Sequence, residues 1–272
     1  MGKREQLQIT RSYTNTAGRI RKQMIASAVG TFQSLGSWRD KDMRTFTAQL
    51  PPRVAGAQRQ IASLTDAYLR ALLADIFRGP RPPARQAPQA AMRLRGVDPK
   101  IVYQRPFRQM WQDLGEGEDW EDAYNQSIRR LISLVETDLQ LAKTFAARDT
   151  LAGQGRVHGY RRVLTGTSSC GLCVVASTQR YRKEDLLPIH PGCDCGVAPI
   201  VGDTDPGQVI NAPLLEDVHD AIQSTFGVSD RSARAPDYRD FIVTHQHGEI
   251  GPVLARRGDK FTGPDDLGSG SS

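Results

Sequence analysis

Long apolar runs are missing from this 272-residue chain, where runs such as Ala71-Leu72-Leu73-Ala74 last only a few residues. A helix that crosses a bilayer needs roughly 20 apolar residues, so no membrane-spanning helix is expected. The first thirty residues carry Lys3, Arg4, Arg11, Arg19, Arg21 and Lys22 but no apolar stretch among them. No secretory signal is therefore read, and an intracellular setting is expected. A Gly-x-Ser-x-Gly elbow and a Gly-rich loop between strand and helix are also missing, so no local signature of a serine nucleophile or a phosphate site supports an enzyme. Lysine is scarce, 7 residues against 29 arginines. That bias partly reflects GC-rich coding and weakens any reading of arginine as selected chemistry. Cysteine is scarcer still, at four, but its placement is informative.

What is present is a polar, globular composition, with 39% hydrophobic residues and a mean hydropathy of -0.46. The length suits one or two domains with a real core. A net charge of +6 conceals a strong asymmetry. Residues 1–110 hold 20 Lys/Arg against 6 Asp/Glu, a net of +14, whereas residues 111–150 carry −5 and residues 201–272 carry −6. A front half this basic is a candidate surface for nucleic acid or an acidic protein, and a solvated helical face is the plain alternative.

The hydrophobic pattern predicts an α+β chain, helical in front and with short strands behind. Ile20, Met24, Ala28 and Phe32 recur at spacing four, and Gly36 and Trp38-Arg39-Asp40 break the pattern. Pro51-Pro52 reads as a boundary, because proline lacks a donor and disfavours helix before it. Ile61, Leu64, Tyr68, Leu72 and Ile76 then draw a core-facing stripe that Gly79-Pro80 stops, closing a helical region at 1–78. The run Arg78-Gly-Pro-Arg-Pro-Pro-Ala-Arg-Gln-Ala-Pro88 opens a Pro/Arg-rich linker or arm assigned to 79–115. A long helix is expected over 116–154, starting near Glu118 or Asp119. Its stripe runs from Trp120 to Phe145, packed into an antiparallel bundle with the earlier helices. That stripe looks longer than the chain can cover, so part of it is expected to dock on another protein and to make the isolated chain oligomeric or aggregation-prone. Residues 155–266 are expected to form a Cys/His-rich part with a further helix over 207–226 and short strands over 238–262 that flank a turn at Gly248–Gly251, with a hairpin turn at Gly258-Asp259. The polar tail 267–272 is expected to be disordered.

All four cysteines fall within 26 residues, as Cys170-Gly-Leu-Cys173 and Cys193-Asp-Cys195, with His190 three residues before Cys193. Two chelating pairs separated by a loop of 16–19 residues have the spacing of a structural zinc site. Gly171 permits the bend between the first two thiols, and Pro191-Gly192 turns His190 back towards the second pair. Tetrahedral zinc takes four ligands, so one of Cys170, Cys173, His190, Cys193 and Cys195 is spare or sits behind a ligand. Disulfides and plain burial are the competing readings, the first disfavoured in a reducing compartment.

The stretch from Arg161 to Tyr181, followed by Leu187-Pro-Ile-His-Pro-Gly-Cys-Asp-Cys195, resembles the phage minor head protein family named after the F protein of phage Mu. The family pattern of a Cys-x-x-Cys pair, a variable loop and His-Pro-x-Cys-x-Cys is matched at Cys170, Cys173, His190, Pro191, Cys193 and Cys195. The segment Thr244 to Pro264 also resembles the tails of such proteins from phages of actinobacteria. The resemblance implies a non-enzymatic virion component made in the host cytoplasm and housed inside the capsid at the portal vertex. Its partners would be the portal and other head proteins, and its role head assembly or DNA packaging and ejection. Packaged DNA, touched without sequence preference, is a further partner, with Arg78, Arg81 and Arg85 of the arm as the contact residues expected from charge. The alternative is a zinc-containing DNA-binding protein or a nuclease of the His-metal type, with His245 or His247 doing chemistry. Such a nuclease needs a helix after its histidine, whereas Gly248 and Gly251-Pro252 follow here.

Overall fold

The computed structural model describes residues 3–84, 94–163, 173, 176–177, 179–189, 195–202, 220, 223, 242–247, 249 and 251–256. The helices are α1 (Lys3–Gln33), α2 (Asp40–Phe77), α3 (Pro99–Val102), α4 (Arg105–Glu116) and α5 (Trp120–Ala152). The strands are β1 (Val157–Val163), β2 (Arg180–Arg182), β3 (Gly196–Val201), β4 (Ile242–His247) and β5 (Gly251–Arg256). The chain is α+β, as the pattern predicts.

Spacing-four residues build the bundle. Met24, Ala28 and Phe32 of α1 meet Phe46, Leu50, Val54 and Ile61 of α2 and Leu131, Leu134, Val135 and Leu139 of α5 in one buried core. Phe32 contacts Phe46 and Phe107 edge-on, at ring centroids 5.5 and 5.0 Å apart, the offset geometry aromatic rings prefer. At α5 the sequence and the backbone agree closely. Asp119 is the N-cap, its carboxylate accepting from the Asp122 amide at 2.9 Å, and Glu121 and Asp122 lie at the positive end of the helix dipole.

Two sequence boundaries are displaced. Pro51 and Pro52 lie inside α2 and do not end it. Burial of Phe46 and Leu50 before them and Val54 and Ala57 after them holds both halves of the helix on the same core, and this outweighs the local preference for a break. Residues 99–115, assigned to the arm, form α3 and nearly all of α4. Pro99 and Pro106 stand in the first turns of these helices, where proline is favoured because its missing N–H is not needed. Asp98 caps α3 through the Lys100 amide at 2.8 Å, while Val102, Tyr103, Phe107 and Met110 are buried. The extended arm is described only as far as residue 84.

Three strands form an antiparallel sheet in the order β2-β1-β3. The sheet closes the far end of the bundle, where Val157, Tyr160, Val163 and Val197 share a core with Tyr13, Tyr68, Leu69, Leu72 and Leu151. Tyr13 and Tyr68 stack at 4.1 Å, and the Tyr68 hydroxyl donates to the Val197 carbonyl at 3.1 Å, stitching helix to strand. Strands β4 and β5 make a separate hairpin whose pairing runs from Ile242–Arg256 to His247–Gly251. No described helix is long and apolar enough to cross a membrane. The expected helix over 207–226, the Gly258-Asp259 turn and the tail lie outside the described residues, apart from helical Asp220 and Gln223.

Candidate metal centre

Strand β1 is the base of the site. Its neighbours in the sheet bring in the two ends of the cysteine block, since β2 follows the first pair and β3 begins directly after Cys195. Cys173, from the first pair, and Cys195, from the second, are both buried and belong to one cluster with Ala176, Ile189 and Leu254. The two halves of the motif are thus brought together by the pairing of β1 with β2 and β3. Cys170, His190 and Cys193 lie outside the described residues. Ile189, the neighbour of His190 in sequence, is buried in the same cluster. Among the described residues no group of three or more donors is assembled.

The chemistry around the two sulfurs suits a thiolate centre. Arg162 of β1 is 2% exposed. Its Nη1 donates to Cys195 Sγ at 3.4 Å, and its Nη2 donates to the Leu187 carbonyl. A guanidinium keeps its charge at every ordinary pH, so it stabilises a deprotonated sulfur beside it. Tyr181 of β2 packs against the same cluster and stacks on Tyr160 at 5.1 Å, its directly paired residue on β1. The Tyr181 hydroxyl is buried without a hydrogen-bond partner among the described residues. Burial pushes this phenol well above its ordinary value, with Arg162 opposing the shift and Tyr160 and the two cysteines adding to it. It therefore keeps its proton at ordinary pH.

The hairpin closes the cysteine block and ties it to the bundle. The Leu254 amide of β5 donates to the Pro188 carbonyl at 3.0 Å. At the hairpin turn, Glu249 is held by Arg105 through both carboxylate oxygens and by Arg95 Nη1 at 3.2 Å. Its carbonyl accepts from the Gly96 amide at 2.9 Å. Arg95 also donates to Asp138 at 2.5 Å and to the Leu134 carbonyl at 3.2 Å, while the Tyr103 hydroxyl donates to Asp138 at 2.7 Å. Desolvation, reinforced by Asp138, drives the Tyr103 phenol far above its ordinary value. A cavity of about 40 Å³ opens beside this network, lined by Val54, Val97 and Tyr103 among others. It has room for a water or two and none for a metabolite.

None of Arg95, Asp138, Arg162, Tyr181 or Glu249 is singled out by sequence spacing. Their partners lie up to 154 residues away, and only folding brings them together. Of the arm residues, Arg78 and Arg81 are exposed and Arg85 lies outside the described residues. Arg78 caps α2 in the left-handed region at φ 50, and Arg70 fastens the arm by donating to the Pro82 carbonyl at 3.2 Å. His245 and His247 occupy alternate positions of β4, paired with Val253 and Gly251. Most of the α5 stripe is covered within the chain, while Trp120 at its start is exposed. Leu131, Leu134, Val135 and Leu139 are buried by α1, α2 and α4, and the large hydrophobic residues exposed among the described ones are Ile101, Leu114 and Trp120.

No protein-family model, curated protein or solved structure matches the chain.

Proposed function

We propose that this chain is a non-enzymatic minor head protein of a tailed phage, resident inside the capsid at the portal vertex and acting in head assembly or DNA packaging and ejection. The observation that carries this reading is the cysteine block. Its Cys-x-x-Cys and His-Pro-x-Cys-x-Cys halves have the family's pattern, and residues from both halves share one buried cluster. In this reading a structural zinc is held by Cys170, Cys173 and two of His190, Cys193 and Cys195. The zinc fixes the loops of a block with little core of its own. Elemental analysis of protein prepared under reducing conditions is expected to find one zinc per chain. Less than about a tenth of an equivalent removes the zinc from the reading.

The basic front half supplies the second contact, with packaged DNA. Arg11, Arg19, Lys22, Arg44 and Arg59 are exposed on α1 and α2, and no ion pair to a carboxylate involves them among the described residues. Phosphate contacts release counterions, so affinity for duplex DNA falls steeply with salt and does not depend on sequence. The portal contact falls to the exposed end of the bundle around Leu114 and Trp120.

Crosslinking mass spectrometry on purified particles of the encoding phage tests the whole reading. Few copies crosslinked to the portal are expected. Crosslinks to the outer capsid surface or the tail, or absence from the particle, overturn it.

A further inference from the structure

Two side-chain donors, Arg162 and Tyr181, lie beside the buried cysteines. Arg162 projects its guanidinium from β1 into a cluster of Cys173, Ala176, Ile189, Cys195 and Leu254, and bonds the Cys195 sulfur at 3.4 Å. A buried cation in apolar surroundings is costly unless an electron-rich acceptor faces it. Tyr181 places a hydroxyl in the same surroundings with no partner among the described residues. Leaving such a group unsatisfied costs about 1–3 kcal/mol, and phenylalanine fills the same space without that cost.

We infer that Arg162 and Tyr181 are positioning residues of a thiolate centre for a soft divalent cation of the zinc class, orienting its cysteine sulfurs and offsetting their charge by hydrogen bonding. The inference rests on the metal-centre reading and adds two residues outside the cysteine motif. A centre with three or four thiolates carries net negative charge once the cation is bound. A fixed guanidinium beside one sulfur and a phenol packed against the same cluster lower the cost of burying that charge. The registered pair Tyr160–Tyr181 supplies the rigidity, because stacking across neighbouring strands fixes the Tyr181 ring and so its hydroxyl.

The experiment uses the full chain as wild type, Arg162→Met, Arg162→Lys and Tyr181→Phe, each metal-free and then titrated with Co2+ and with Zn2+ against a chromophoric chelator. Circular dichroism monitors folding. Wild type is expected to develop the near-ultraviolet sulfur-to-cobalt absorption of thiolate ligation. Arg162→Met and Tyr181→Phe are expected to bind about 10–100-fold more weakly, with Arg162→Lys in between. A merely structural role moves Tyr181→Phe differently, leaving metal affinity unchanged and the metal-free protein as stable as wild type or more so. Wild-type affinity in both Tyr181→Phe and Arg162→Met overturns the inference and leaves the metal centre standing. If Arg162→Met fails to fold, Tyr181→Phe decides, since it removes one unpartnered oxygen and no packing. A wild-type chain that binds neither cation overturns the metal-centre reading itself.

Discussion

Gly159 of β1 lies against the backbone of β2, where a methyl group would collide with the Tyr181 carbonyl oxygen. The neighbour is main chain and cannot rotate away. Gly159→Ala is therefore expected to cost about 1–3 kcal/mol and to lower the melting temperature by several degrees, as measured by thermal unfolding. Asp42 holds a different close turn. Its carboxylate accepts from the Ser37 amide and hydroxyl, both at 2.8 Å, and from the Trp38 amide at 2.9 Å. These bonds hold Trp38 at φ 49, a left-handed conformation that a bulky residue rarely adopts. Hydrogen bonding from Ser37, first through its hydroxyl, keeps the Asp42 carboxyl below its ordinary 3.8. A depressed carboxylate stabilises the fold above its unfolded value and loses that contribution as pH falls through the folded one. The stability gap between wild type and Asp42→Asn, read by denaturant titration, is expected to be constant near neutrality and to shrink below pH 3.8.

At the scale of elements, α2 runs through two prolines because tertiary burial sustains it on both sides. Pro52 is exposed. An interior proline is about 3 kcal/mol worse than alanine in a helix, and about 1 kcal/mol of that is returned by the stiffer unfolded chain. Pro52→Ala is therefore expected to stabilise the protein by about 2 kcal/mol, and an unchanged or lower midpoint in urea contradicts this account of α2. The hairpin β4–β5 shows the opposite dependence. A two-stranded ribbon is marginal alone, and this one is held at its turn by Glu249 and along β5 by Leu254. Glu249→Gln removes the charge that both Arg95 and Arg105 face. Amide exchange over 242–256 is expected to accelerate while α1 and α2 keep their protection.

Across the whole molecule, helices and sheet share a core, and a buried ionic network joins the helices to the hairpin. Asp138 of α5 faces Arg95 and Tyr103, and Arg95 in turn reaches Glu249 of the hairpin. Removing one member of a buried pair strands the other, a loss of about 3–5 kcal/mol. Asp138→Ala is expected to lower global stability by that order and to loosen the hairpin as well, since Arg95 serves both. Thermal unfolding and amide exchange on the same variant check the two effects together. A global loss with the hairpin still protected shows that Arg105 alone secures it.

The class of the fold, the positions of α1 and α5, the hairpin and the spacing of the cysteine donors were legible in the sequence. Each depends on local chemistry: apolar residues at spacing three or four, Asp119 as a cap, turn residues at Gly248–Gly251, and chelating pairs a few residues apart. The sequence misled where a local preference met a stronger distant one. Pro51-Pro52 reads as an end, and 99–115 as part of the arm, because the core that buries Leu50, Val54 and Phe107 does not exist until the helices pack. The same holds for the surroundings of the site. Arg162, Tyr181 and the clasp at Glu249 carry no spacing signal, since their meaning comes from partners tens to more than a hundred residues away. Donor types are written locally and can be read from the chain, but burial, charge neighbours and the closing of the cysteine block arise only when distant segments exclude water together.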